Sequence, residues 1–364
     1  MGPRLLSLTE ARALLLGATH MGRPAFAGAL DALGALGAVQ LDPIDRIGVN
    51  ADLVLRARVQ GYRKGDWART MPGGAFEHFA KERCLLPARL FPFYRDQAVE
   101  TPWWLGTVRQ SRVDPGLVAA VLDEVKERGP IRAQALSDHG RVQPLDWSGW
   151  KGTAKAGTMA LEVLWTDCRV VTAGRDENGH RLYDIPARAL PTVHDAPGGD
   201  FFRQALLDRV ASAGLLRTAS GPQWSMLSPI RGGPVVEALV AEGALERVRV
   251  MGSRREYLCL PGVAGVGELD EAMRVVGPLD ALIWDRELVQ QVFDFEYVWE
   301  IYKPESERRW GYYVVPLLHR GRLVGRFEGK RRVGGGIEVI GRWGDFEEGA
   351  FEAALGGLAE MLGV

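Results

Sequence analysis

The chain has 364 residues, enough for two or three domains, and an ordinary globular composition of 46% hydrophobic and 25% charged residues. Nothing approaches about 18 consecutive apolar residues, which excludes a membrane-spanning helix, and the formal net charge of −1 argues, taken globally, against nucleic acid. Cys84, Cys168 and Cys259 lie far apart and the six histidines form no HxxxH pair, so neither a metal site nor a disulfide framework is read. Leu14-Leu15-Leu16 lacks the layout of a cleavable signal, and the chain reads as cytoplasmic.

Leu8 to Gly17 reads as a helix started by Ser7 or Thr9, and Pro24 to Leu36 as a second, with proline in its first turn and Gly37 past its end. His20 lies between them, either as a surface histidine or lining a cleft near Gln40. The apolar run Leu36-Gly37-Ala38-Val39 then closes on Gln40-Leu41-Asp42, and Pro43 ends it. On an extended segment residues i and i+2 share a face, so the Gln40 amide and the Asp42 carboxylate are expected to point the same way, with Leu41 turned into the core. A carboxylate activates water or stabilises a developing cation, and a neighbouring amide holds that water or a substrate oxygen. A polar pair at a strand end also fits a turn or a cap. Asp45 and Arg46 read as a local ion pair or cap rather than catalysts.

Asn50 caps a third helix, Ala51 to Val59, with Leu53 and Ala57 on one side and Arg56 and Arg58 on or near another. Asp66 to Met71 is read as a short helix, and Phe76 to Tyr94 as helical with breaks at Pro87 and Pro92. Trp103-Trp104 is read as core. A repeat follows. Helices at Pro115 to Arg128, Arg132 to Asp138 and Thr153 to Asp167 precede a hairpin made by Arg169 to Thr172, a turn at Asp176 to Gly179, and His180 to Ile185. This is the order of a winged helix-turn-helix unit. It recurs about 75 residues later, with helices at Asp200 to Gly214, Gly221 to Leu227 and Pro234 to Glu242 and strands at Leu245 to Val250 and Glu256 to Leu260. Glu162 and Leu164 fall on Glu237 and Leu239, and Tyr183 near Tyr257. Trp147 and Trp150, beside Lys151 and Lys155, either stack on a base and clamp a phosphate or pack a loop onto the core.

Beyond Gly262 to Gly267 the pattern changes. A helix at Arg286 to Phe293, started at Asp285, is followed by strand-like runs at Tyr297 to Tyr302, Tyr312 to Leu318, Arg322 to Phe327 and Ile337 to Trp343. They predict a small antiparallel sheet or barrel, closed by an amphipathic helix at Ala350 to Leu362. The window Arg320 to Arg342 holds seven basic and two acidic residues. Within it, Lys330-Arg331-Arg332 followed by Val333 and three glycines reads as a hairpin able to approach a phosphate backbone closely, or as a solvated flexible turn.

Leu36-Gly37-Ala38-Val39-Gln40-Leu41-Asp42-Pro43-Ile44 resembles the signature of the winged-helix crosslink-repair DNA glycosylases, the AlkZ/YcaQ-like family. Three later stretches are similar to that family as well. They are Ala160-Leu161-Glu162 through Ala173-Gly174-Arg175, Arg181 to Pro186, and Pro278-Leu279-Asp280 through Gly311 to Pro316 and on to Gly321 to Arg326. The resemblance covers nearly the whole chain in order and departs at Gly140 to Thr158 and at Phe327-Glu328-Gly329. It implies an α+β fold of three tandem winged helix-turn-helix modules, a small antiparallel β-barrel and a C-terminal helix. The modules fall at 1–112, 113–196 and 197–265, with the barrel, basic hairpin and closing helix at 266–364. The family's motif is Gln-apolar-Gln in one branch and Gln-apolar-Asp in the other, and Gln40-Leu41-Asp42 fits the second, of broader specificity.

The chemistry is consistent. A purine alkylated at N7 is cationic and leaves as a neutral base, so no general acid is required, and one carboxylate, Asp42, can stabilise the oxocarbenium-like sugar and deliver water. Gln40 would orient that water or the deoxyribose. No Schiff-base lysine is read beside the motif, so a monofunctional hydrolase is expected, a monomer acting on double-stranded DNA containing alkylated purines, with no cofactor, metal or membrane. Candidate DNA contacts are Arg56, Arg58, Trp150, Lys151, Lys155, Lys330, Arg331 and Arg332. The competing readings are a non-catalytic winged-helix transcription regulator and a protein-interaction scaffold.

Overall fold

The computed structural model describes residues 2–24, 26–100, 113–142, 154–262 and 265–364. Trp103, Trp104, Trp147, Trp150 and Lys151 lie outside them. The chain divides into two units, one of Met1–Trp67, Phe79–Cys84 and Ala205–Val364, the other of Ala68–His78 and Leu85–Gln204.

In the first unit local signals start the chain as expected. Ser7 opens helix Leu8–Ala18 through a capping box in which Glu10 N–H donates to Ser7 Oγ (3.2 Å) and Ser7 N–H donates to Glu10 Oε2 (2.7 Å). The helix buries Ala11, Leu14, Leu15 and Leu16 in a core shared with Leu6, Val248, Tyr257, Leu288, Val292 and Phe293. Burying each such leucine stabilises by roughly 1.5–3 kcal/mol. Arg4–Leu6 is a strand that the sequence pattern does not announce. It runs parallel to Glu246–Val250, which pairs antiparallel with Glu256–Cys259 and, beyond that, Leu216–Arg217.

The second helix is shorter than its sequence pattern, Ala29–Leu36. Phe26 is drawn instead into an extended contact with Val59, where Phe26 N–H donates to Arg58 O (3.3 Å) and Gln60 N–H donates to Phe26 O (3.1 Å). Gly37 ends the helix with φ of 72°, a conformation that favours glycine. The third helix is Asn50–Arg56. The expected helix over Phe76 to Tyr94 is instead a hairpin, Ala75–Ala80 and Glu82–Pro87, with a helix, Phe91–Glu100, only afterwards. Ala75 through Phe79 are all buried, so no alternation betrays the strand. Glu82, with φ of 60°, makes the reversal.

The C-terminal sheet has four antiparallel strands in the order Arg274–Val275, Val314–His319, Arg322–Arg331 and Ile337–Gly344. Among the described residues it does not close into a barrel. Tyr297 to Tyr302 adds no strand; Tyr297 is buried and its hydroxyl donates to Val314 O (2.8 Å). Helix Glu348–Leu362 covers the sheet instead, with the Phe351 ring edge-on to Phe327 at 5.5 Å.

In the second unit Asp114 accepts from Leu117 N–H (3.0 Å) and caps helix Pro115–Arg128. Strand Ile131–Arg132, a 3-10 turn at Ala133–Ala135 in place of the expected short helix, and helix Ala156–Thr166 follow. The hairpin Val171–Arg175 and Arg181–Asp184 turns at Asp176, whose Oδ1 accepts from Asn178 N–H (2.9 Å) and His180 N–H (2.8 Å). A comparable run follows in Phe201–Ala213, Leu216–Arg217, two 3-10 turns, Pro234–Ala241 and the hairpin Glu246–Val250 and Glu256–Cys259, without a counterpart of the antiparallel pair Arg141–Val142 and Ala154–Lys155. In both copies the short strand pairs antiparallel with the last one, Ile131 opposite Tyr183 and Arg217 opposite Tyr257. No helix among the described residues is long and apolar enough to cross a membrane.

Candidate active site

Val39–Gln40 is a two-residue strand held against the tip of the 79–84 hairpin, where Leu41 N–H donates to Arg83 O (2.8 Å). Gln40 is buried, only 9% exposed. Its main-chain carbonyl accepts from Asn50 Nδ2 (2.8 Å), and Asn50 Oδ1 accepts in turn from Leu279 N–H (2.9 Å). Its side-chain Oε1 accepts from Lys81 Nζ (3.0 Å). Lys81 stands 41 positions away along the chain, and the sequence reading places no lysine at the motif. The signal it missed is the hairpin, since Lys81 sits at the reversal of a segment patterned like a helix. With Oε1 occupied, the Gln40 amide presents its two N–H groups, which have no partner among the described residues.

Leu41 and Asp42 are half-buried, so Leu41 is not turned fully into the core as expected. Asp42 Oδ1 accepts from Ile44 N–H (2.9 Å) in a tight turn, and Oδ2 has no partner among the described residues. Burial raises the Asp42 carboxyl above its ordinary value, against the opposing pull of the Ile44 N–H. No cation pairs with it among the described residues.

The loop after Asp42 is fastened to the basic hairpin. Arg331 Nη1 donates to both Asp45 oxygens (2.9 and 3.0 Å), Lys64 Nζ reaches Asp45 Oδ2 (2.7 Å), and Arg331 N–H donates to Arg46 O (3.2 Å). Burial alone would raise the Asp45 carboxyl, but Lys64 and Arg331 outweigh it and bring it below its ordinary value. Arg46 is exposed and lies over the Tyr312 ring at 5.1 Å. A Cβ at Gly329 would meet Phe327 Cε2 at 2.9 Å and Ile337 Cγ2 at 3.3 Å within the hairpin and Ile47 Cγ2 of the loop at 3.4 Å, so glycine suits this tightly packed point. Glu328, in the stretch that departs from the family signature, braces the start of the neighbouring strand, where its Oε1 accepts from Tyr312 N–H (2.9 Å) and Tyr313 N–H (3.1 Å). The hairpin tip turns through Gly334, Gly335 and Gly336, all at positive φ (94°, 109°, 81°). Lys330 pairs with Glu338 (3.2 Å), whereas Arg332 is exposed with no ion pair among the described residues.

The other basic candidates divide. Arg58 is 0% exposed, its guanidinium bonded to Asp280 (2.7 and 2.9 Å), Thr19 O (2.7 Å) and Val54 O (2.7 Å). It therefore holds the interior together and offers no charge to a ligand. The helix ends before it, which turns its side chain inward. Arg56 is only half-exposed and donates to Gly357 O (3.2 Å). Lys155 is exposed in the second unit, just before helix Ala156–Thr166. His20 stands edge-on to Phe26 at 5.3 Å, and burial lowers its imidazole below the ordinary value. It lines a cleft of about 510 Å³ with Leu16, Arg23, Ala35, Val210 and Glu268, and Gln40 is not among the lining residues.

The arrangement therefore brings a half-buried carboxylate, one oxygen of which has no partner among the described residues, and an anchored amide to the end of one strand. Comparison with a known structure gives Streptomyces sahachiroi DNA glycosylase AlkZ, with a TM-score of 0.59 at 14% identity over 99% of this chain and 97% of that one. At that identity the likeness is one of fold, and it runs the length of both chains. The family model described as "DNA glycosylase AlkZ-like" matches residues 33–361, a span that includes the Gln40-Leu41-Asp42 strand end, the repeat and the C-terminal sheet. The chain belongs to the AlkZ-like family of DNA glycosylases.

Proposed function

We propose that this glycosylase hydrolyses the N-glycosidic bond of N7-alkylated purines in double-stranded DNA, using Asp42 and Gln40, and that it belongs to the Gln-apolar-Asp branch of its family. The observation that carries the reading is the state of Asp42. Its Oδ1 is fixed by Ile44 N–H, its Oδ2 is unpartnered among the described residues, and no cation there neutralises it. Such a carboxylate suits a reaction whose transition state is cationic at the sugar, because its charge is uncommitted until the substrate supplies the countercharge. The leaving base is already cationic, so the absence of a general acid from the proposed pair is no obstacle. Water attacks C1′, its proton passes to Asp42, and the alkylated purine departs as a neutral molecule.

The test is duplex DNA containing a single N7-methylguanine, scored for released base and alkali-labile abasic sites, beside undamaged duplex, which should resist. Bound but uncleaved methylated duplex would favour a non-catalytic regulator. We extend the reading to unhooking of N7-guanine interstrand crosslinks of the nitrogen-mustard kind. A tethered base cannot enter a closed pocket, and a site at a strand end, followed directly by Pro43, suits an open cleft. Methylated-base release without unhooking, at equal enzyme excess on a denaturing gel, would confine the enzyme to small lesions. Lys81, the lysine that the fold brings to Gln40, is held by the Gln40 Oε1 and is not assigned as a Schiff-base nucleophile; the reaction stops at the abasic site in this reading, so borohydride should trap no covalent enzyme–DNA complex.

Phosphate binding is assigned to the basic hairpin, with Arg332 its principal contact, because Lys330 and Arg331 already have carboxylate partners. Arg332→Ala should flatten the dependence of log K on log salt by about 0.9 for one lost phosphate contact. Lys330→Ala should change the slope less. Titrations by fluorescence anisotropy between low and physiological salt measure it; an unchanged slope for Arg332→Ala removes the hairpin tip from the interface. Arg56 and, in the second unit, Lys155 are further proposed DNA contacts; Trp150 and Lys151 lie outside the described residues and stay expectations of the sequence.

A further inference from the structure

Lys81 is a buried lysine, and among the described residues it has no ion pair and its Nζ donates one hydrogen bond, to Gln40 Oε1 at 3.0 Å. Its ammonium also lies over the Trp284 ring at 5.2 Å, and Trp284 is itself fixed by donating from Nε1 to Leu279 O (2.9 Å). An unpaired buried cation lowers stability, and a methionine of similar length would fill the same space without that cost. A chain that keeps such a charge beside a functional amide is retaining it for the amide. We propose that Lys81 is a positioning residue for base excision: its ammonium fixes the Gln40 amide with Oε1 inward, so that both Nε2 hydrogens face the water or the deoxyribose. The proposal rests on the reading of Gln40 and Asp42 as the reacting pair.

The charged form is required, since a neutral amine offers a lone pair to which the amide can present its NH₂ group, reversing its faces. Burial lowers the Lys81 ammonium from its ordinary value to about 8. The groups that act on it besides burial are Cys84 and Glu82 on its own hairpin, which favour the charge, and Arg209 and Arg286, which oppose it. Lys81 is therefore charged at neutral pH and loses its proton as pH rises through about 8. The rate should fall over that range while the folded state does not weaken. A group whose folded pKa lies below its unfolded value penalises folding less as pH climbs between the two.

The experiment is single-turnover excision of N7-methylguanine from duplex DNA, at saturating enzyme from pH 6 to 9, for wild type, Lys81→Met, Lys81→Arg, Gln40→Ala and the double variant Gln40→Ala/Lys81→Met. Lys81→Met should slow excision about tenfold at pH 7, the order expected for one charge-assisted hydrogen bond. It should also abolish the alkaline decline and leave the melting temperature unchanged or higher. Lys81→Arg should recover most of the neutral-pH rate without the decline near pH 8, and the double variant should be no slower than Gln40→Ala. A Lys81→Met rate within twofold of wild type, an alkaline decline that persists in Lys81→Arg, or an undiminished Lys81→Met effect in the Gln40→Ala background would each overturn the proposal. If Gln40→Ala slows excision and Lys81→Met does not, only the positioning role fails; a wild-type rate for Gln40→Ala overturns the site assignment and this proposal together.

Discussion

Asp42→Asn is expected to lose base excision by about 10²- to 10⁴-fold in single-turnover rate, with DNA affinity nearly intact. The carboxamide is isosteric, and its oxygen can still accept the Ile44 N–H that shapes the turn. What it lacks is the negative charge and the basic oxygen. The loss should therefore appear in the chemical step and not in binding. The pH profile gives an independent check. Burial raises the Asp42 carboxyl above its ordinary value, and the protonated form can neither stabilise a cationic sugar nor take a proton from water. Excision should accordingly fall on acidification with a midpoint above that of an ordinary aspartate, and this acid limb should vanish in the residual activity of Asp42→Asn. Gln40→Ala should cost less, since it removes orientation and not charge. An Asp42→Asn enzyme with wild-type single-turnover rates would refute the assignment.

Arg58→Ala is expected to destabilise the protein by about 3–5 kcal/mol, the usual consequence of leaving half of a buried ion pair uncompensated. Arg58 and Asp280 are each 0% exposed, and the two-pronged contact between them is supplemented by the carbonyls of Thr19 and Val54. Domain stabilities of roughly 5–15 kcal/mol make that loss close to global unfolding. Replacing both partners with apolar residues, Arg58→Met with Asp280→Leu, should recover part of it. Recovery is incomplete because Asp280 Oδ1 also accepts from Leu282 N–H (3.0 Å), a bond that leucine cannot make. Urea denaturation of the single and double variants measures the cycle. A loss under about 1 kcal/mol for Arg58→Ala, the size of a surface pair, would mean that the pair is not the fastening it is taken to be.

The sequence by itself determined those features whose partners lie within a few residues. Ser7 and Glu10, Asp114 and Leu117, and Asp285 and Leu288 are caps spanning three positions, and the helices they start, Leu8–Ala18, Pro115–Arg128 and Arg286–Phe293, follow the sequence pattern closely. The turn at Asp176 was equally legible, because hairpin register is set by the turn and the residues beside it. So was the Gln40-Leu41-Asp42 motif, as a string of residue types. The tertiary structure alone decided what stands beside it. Lys81 meets Gln40 across 41 positions, Arg58 meets Asp280 across 222, and Arg331 meets Asp45 across 286. In the sequence all three are merely cations, and nothing there separates Arg58 and Arg331 from charges free to meet DNA. The C-terminal sheet illustrates the same limit: three of its strands are visible locally, Arg274–Val275 is not, Tyr297 to Tyr302 reads as a strand and forms none, and closure into a barrel depends on what the edges find. A basic side chain becomes an interior strut, a loop fastener or a free charge according to which distant carboxylate or carbonyl the fold brings within about 3 Å of it, and periodicity carries no record of that distance.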